Sequence, residues 1–89
     1  MARLILTRRA REQVAALPRA VQEAADEALL RIGASPREAG KQLRGRLRGT
    51  WAARVGGYRI LYRIEGTADE RVIVRSIGHR GEAYPPPRP

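Results

Sequence analysis

The sequence predicts an α+β fold ordered strand, helix, helix, strand, strand, strand (β-α-α-β-β-β), an antiparallel sheet with an N-terminal helical hairpin on one face. Three observations carry this. Residues 58–64, Tyr-Arg-Ile-Leu-Tyr-Arg-Ile, alternate with period two, which places Tyr58, Ile60, Tyr62 and Ile64 on one side of a strand and Arg59, Leu61 and Arg63 on the other. Gly56-Gly57 immediately before them is a signal for a two-residue hairpin turn, making residues 50–55 the partner strand. Residues 8–33 carry apolar side chains at helical rather than strand spacing. A chain of 89 residues is one domain, here residues 1–84, followed by a proline-rich tail at 85–89.

Taken in order, Leu4, Ile5 and Leu6 suit a short first strand, and Thr7 is placed to cap the helix after it. Ala10, Val14 and Leu17 form the stripe of that helix, which Pro18 ends. A second helix starts there, with Val21, Ala25, Ala28, Leu29 and Ile32 as its apolar seam and Gly33 as its natural terminus. Residues 36–49 alternate basic residues with glycines, which argues against regular helix, while Leu43 and Leu47 are positioned to pin this connector to the core. The hairpin follows, then a loop at 65–70 and a last strand at 72–77. In that strand Val72, Ile73 and Val74 are continuously apolar, as in a strand covered on both faces. Residues 78–84 leave the sheet as a loop or short turn.

Composition narrows function. The formal net charge is +9, basic residues outnumber acidic ones by 18 to 9, and all the basic residues except Lys41 are arginine. From Lys41 to Ile64 there are seven Lys/Arg and no acid, a pattern suited to a polyanionic partner. With no cysteine and one histidine, thiolate metal sites and disulfides are excluded. The three apolar residues near the N-terminus fall far short of a secretion signal, and no segment approaches a membrane span, so a cytoplasmic protein with no membrane partner is expected.

The basic surface has a definite chemistry. Arg54, Arg59 and Arg80 can make bidentate, charge-assisted hydrogen bonds to phosphate oxygens and stabilise the charge of a pentacovalent transition state. Guanidinium does not exchange protons at neutral pH, so acid–base work would fall to His79 or Tyr84. No Asp/Glu pair has metal-like spacing; attack by a ribose 2′-OH on its own phosphate needs only charge, alignment and proton carriers. Plainer readings stand beside these. Arg54 and Arg59 also fit solvated strand positions, His79 a hydrogen-bonded turn, and Arg63 a solvent or partner contact. Tyr58 and Tyr62 share the core stripe, Trp51 reads as the core anchor of the hairpin, and Tyr84 is free to stack on a base.

These pieces, in this order, resemble the RelE/ParE superfamily of type II toxins. The resemblance rests on Arg8-Arg-Ala-Arg11, Leu17-Pro18, Ser35-Pro36, Leu43-Arg44-Gly45, Leu47-Arg-Gly-Thr-Trp51, residues 54–64, Ile77-Gly-His-Arg80 and Tyr84. It implies a RelE-like fold and a ribosome-dependent mRNA endonuclease that enters the A site. Such an enzyme cuts without metal or other cofactor, through a 2′,3′-cyclic phosphate. Arg54, Arg59 and Arg80 match basic positions of that family's active site, and Tyr84 its C-terminal tyrosine; a catalytic role for His79 is inferred from its chemistry. Lys41, Arg44, Arg46, Arg48 and Arg63 are the expected RNA-binding residues. One position departs from the pattern, because Ala52 stands where a second basic residue is expected just before Arg54.

The resemblance also implies a cognate antitoxin covering the basic sheet face, with operator DNA bound only through the toxin–antitoxin complex. Two alternatives remain at this stage: a ParE-like inhibitor of DNA gyrase, and a non-catalytic RNA-binding or autoregulatory protein.

Overall fold

The sheet is built outward from the hairpin. In the computed structural model, which describes residues 2–79, β3 (Trp51–Val55) and β4 (Tyr58–Glu65) pair antiparallel with Val55 opposite Tyr58. Gly56 takes φ +58°, as the first central position of a type II′ turn requires. β5 (Arg71–His79) adds to the other side of β4. β1 (Arg3–Leu6) and the two-residue β2 (Lys41–Gln42) form the edges, giving the order β1-β5-β4-β3-β2.

Three helices complete the chain: α1 (Arg8–Ala15), α2 (Arg19–Ala34) and the single turn α3 (Pro36–Ala39). Thr7 caps α1 as expected, its Oγ1 accepting from the Ala10 amide at 3.1 Å. α1 packs on β5 and α2 on β3, both on the sheet side carrying Ile60 and Tyr62. Ala10, Ala25, Ala28, Leu29 and Ile32 meet Ala53, Val55, Ile60, Tyr62, Val72, Val74 and Ile77 in one core. Small alanines on the helices let their backbones approach the larger sheet residues closely. Trp51 packs against this core and stacks on Tyr62, with ring centroids 6.4 Å apart.

The α+β class and the helical hairpin on one face stand, and several details differ from expectation. β5 runs on through Gly78 and His79 rather than leaving the sheet after Ile77. The sheet is mixed, because β1 runs parallel to β5, pairing Leu4 with Val72 and Leu6 with Val74. Between β1 and β5 the chain passes through both helices and the three antiparallel strands β2, β3 and β4, which returns β5 in the direction of β1, and Leu4 and Leu6 reach the covered face. The connector is also more ordered than its glycines suggest. It holds α3, β2 and a 3₁₀ turn at Gly45–Leu47. Gly45, its first residue, and Gly49, just beyond it, take φ +68° and +93° and make its reversals possible. α2 runs on through Gly33, which is buried in its last turn and whose carbonyl accepts from the Ala2 amide at 3.0 Å.

Candidate functional site

On the sheet face away from the helices, Arg54 and Arg59 stand directly opposite each other across the β3–β4 ladder. Alternation forces this: Ala53, Val55, Ile60 and Tyr58 take the core side, leaving the arginines to share the other. Arg54 is exposed, while Arg59 is half-buried and donates from Nη1 to the Tyr58 carbonyl at 3.2 Å. Across β5, Gly78 pairs with Arg59 and offers no side chain to crowd it.

The next residue pair along this face is Ala52 and Leu61, and β2 places Lys41 opposite Ala52. The result is a cleft of about 550 Å³ lined by Glu38, Ala39, Gly40, Lys41, Leu43, Ala52, Arg54 and Arg59. Three cations thus face one cavity with a single carboxylate, Glu38, at its wall. Like charges directly opposed on a ladder repel, and an oxyanion between the two guanidiniums would relieve that repulsion.

The cleft wall is held by a buried tyrosine. Tyr62 Oη donates to the Pro36 carbonyl at 2.6 Å, and burial pushes its phenol up to about 12. A Cβ built on Gly40 would lie 2.5 Å from that hydroxyl and 2.7 Å from the Ala52 carbonyl oxygen. Only glycine lets the connector come this close. On its far side, Arg37 makes paired hydrogen bonds to Glu70 at 3.1 and 2.6 Å, tying α3 to the β4–β5 loop. The hydrogen bond from Arg37 holds the Glu70 carboxyl below its usual range, and the pair holds the Arg37 guanidinium above its own.

The structure thus brings Arg54, Arg59 and Lys41 together. It places Arg44, Arg46 and Arg48 at the exposed 3₁₀ turn, outside the cleft lining. Arg63 is exposed further along the arginine face, its Nη2 3.6 Å from a Cβ built on Gly49. His79 lies on the helix side instead: it pairs with Tyr58, stacks on its ring at 4.2 Å, and lines a hollow with Gln13, Leu17 and Pro18. Arg80 and Tyr84 lie outside the described residues. Glu38 was not anticipated. Its signal was the spacing Glu38-x-x-Lys41, readable only once residues 36–39 are known to form a helical turn. Leu47, expected on the core, turns to the opposite face beside Leu61. Among the described residues, no three of His, Asp and Glu converge as a metal site would need, and no helix is long and apolar enough to cross a membrane.

Comparison with known proteins agrees with this architecture. Residues 4–84 match the family model described as the ParE toxin of the type II toxin–antitoxin system parDE. The chain is a RelE/ParE-superfamily toxin. Toxin RelG of Mycobacterium tuberculosis is 39% identical over 67 residues, which is 75% of this toxin and 76% of that one. Among solved structures, the toxin–antitoxin complex RelBE2 of M. tuberculosis superposes with a TM-score of 0.79 at 34% identity, covering 89% of this toxin and 98% of that chain. The isolated E. coli RelE toxin gives a TM-score of 0.75 at 28% identity, over 89% and 84% of the two chains. The five-stranded sheet and its helical hairpin are therefore the toxin fold, and the cation cleft sits on the sheet face away from that hairpin.

Proposed function

We propose that this toxin is a ribosome-dependent mRNA endonuclease that inhibits translation and is neutralised by a cognate antitoxin. The observation that carries the reading is the opposition of Arg54 and Arg59 in one cleft with Lys41. In this reading the scissile phosphate lies between the guanidiniums. The ribose 2′-oxygen attacks phosphorus, the bond to the 5′-oxygen breaks, and the products are a 2′,3′-cyclic phosphate and a 5′-hydroxyl end. The cations stabilise the added charge on the phosphoryl oxygens, a contribution worth about 10²–10³ in rate per well-placed donor. The 2′-OH proton goes to Glu38, the carboxylate on the cleft wall, and the leaving 5′-oxygen takes a proton from a group beyond residue 79 or from water. Arg80 and Tyr84 remain proposed members of the site, as a third phosphate contact and a base-stacking ring.

The similarity to toxins solved in toxin–antitoxin complexes supports an antitoxin partner here, one whose acidic segment covers the basic face. The deciding experiment maps mRNA 5′ ends in a reconstituted translation reaction with and without ribosomes, beside a gyrase cleavage assay. Cuts within the A-site codon that need ribosomes and vanish in Arg54→Ala and Arg59→Ala are expected. Intact mRNA with trapped gyrase–DNA complexes would overturn the reading in favour of a ParE-like target.

A further inference from the structure

Leu61 is 3% exposed, yet it lies on the sheet face away from the helices and takes no part in the helix-side core. Thr50 and Ser76 share this condition, at 8% and 4%. The three form the floor of a pocket of about 270 Å³, walled by Leu47 of the 3₁₀ turn, Thr7, Arg9 and Arg75. A β-bulge between the β4 and β5 registers, where Leu61 opposes Ser76 but Tyr62 opposes Val74, leaves Arg75 as the extra residue and turns it outward. Arg9, in the first turn of α1, is exposed on the opposite rim. The pocket thus joins an apolar floor to hydroxyl groups, with the Arg75 guanidinium at its mouth.

We propose that this pocket receives one nucleobase of the RNA whose phosphate occupies the arginine cleft. The inference rests on the RNA reading above and names a subsite for it. Leu61 is two residues from Arg59 on the same strand face, roughly 7 Å along the strand, which one extended nucleotide can span. The volume falls just below the range of drug-sized ligand sites, about 300–1,000 Å³, and suits a single planar ring rather than a longer segment. Leu47 and Leu61 contact the ring faces, the Thr50 hydroxyl meets its polar edge, and the guanidinium plane of Arg75 stacks at the opening. Ala52, paired with Leu61, puts only a methyl group on the strand between cleft and pocket.

The test is amide-resolved NMR on the ¹⁵N-labelled full chain, titrated with three probes. These are inorganic phosphate, an RNA dinucleotide blocked by a 2′-deoxy 5′ residue, and the same dinucleotide with an abasic 3′ residue. Phosphate is expected to shift Lys41, Arg54 and Arg59 only, and the dinucleotide to shift Leu47, Thr50, Leu61 and Ser76 as well. The abasic probe is expected to lose the second set and bind about tenfold more weakly, the worth of one stacked base. Ser76→Leu, which fills the pocket, should erase that tenfold difference while leaving the cleft shifts. Arg75→Ala, at an exposed position that does not threaten the fold, should reduce it severalfold. A dinucleotide that shifts only the cleft residues overturns the pocket and leaves the RNA reading intact. Shifts at the pocket alone would sink the cleft and keep the base site, and shifts at neither would overturn both.

Discussion

Lys41 stands directly opposite Ala52 across the β2–β3 ladder, in the cleft that holds Arg54 and Arg59. A positive charge missing from one strand is thus supplied by its neighbour. Charge-assisted hydrogen bonds are worth about 1.5–3 kcal/mol, so Lys41→Ala should lower RNA affinity or cleavage about 10- to 100-fold. The slope of log affinity against log salt should fall by about one. Adding Ala52→Lys to that variant should restore most of the loss. If Lys41→Ala cleaves like the wild type, the relay of charge across the ladder is wrong.

The Arg54–Arg59 opposition should cost the free toxin stability. Opposed like charges are destabilising, and favourable cross-strand pairs are worth about 0.2–1 kcal/mol, so relief of similar size is expected when Arg54 becomes serine. Urea midpoints should show Arg54→Ser as the more stable protein at low ionic strength, with the gap closing as salt screens the pair. The same variant should lose cleavage. Inorganic phosphate should raise the melting temperature of the wild type more than that of Arg54→Ser.

Proton transfer separates two residues that share no face. Glu38 lines the cleft, whereas His79 stacks on Tyr58 on the helix side of the sheet. Glu38→Gln should lower the single-turnover cleavage rate about 10²- to 10⁴-fold, the usual range for a general base. His79→Ala should leave that rate within severalfold of wild type. The opposite ranking would return the acid–base role to His79 and remove Glu38 from the mechanism.

What the sequence makes legible follows from its periodicities. The stripe of Tyr58, Ile60, Tyr62 and Ile64 gave both the covered face and, by subtraction, the face of Arg54 and Arg59, because a strand offers only two sides. His79 escaped because it follows a bulge at Arg75, and one extra residue reverses which side each later residue takes. The parallel pairing of β1 escaped because four apolar-rich residues fit either ladder direction, and only the path of the whole intervening chain, helices and three strands, chooses between them. In the connector, helix propensity counted each glycine as a break. The pairing of Lys41 with Ala52, a contact between distant segments, is invisible to local propensity.

The Arg37–Glu70 pair makes stability depend on acid. Its hydrogen bonds hold the folded Glu70 carboxyl below the ordinary value near 4.5. The contribution is therefore complete above the unfolded pKa and is lost as pH falls through the lower folded one. Urea midpoints measured from pH 7 to pH 3 should drop more steeply for wild type than for Glu70→Gln, with the two curves converging at the acid end. Because the side chain of Arg37 is 57% exposed, added salt should narrow the difference. Parallel curves across the range would mean that the pair contributes nothing to folding.

Tyr62 couples the core to the cleft, since its ring is fully buried among the helices while its hydroxyl holds the Pro36 carbonyl. Tyr62→Phe keeps the ring and strands that carbonyl, a loss of about 1–3 kcal/mol. Gly40→Ala should be destabilising by a similar amount, about 1–3 kcal/mol, because its Cβ would meet both the Tyr62 hydroxyl and the rigid Ala52 backbone. The two substitutions relieve one another in part, since removing the hydroxyl removes the nearer clash. A double-mutant cycle on urea midpoints should therefore give a total below the sum of the single losses. Strict additivity would show that the connector does not lean on Tyr62. In that event the position of Lys41 would have to be fixed by the short β2–β3 ladder alone.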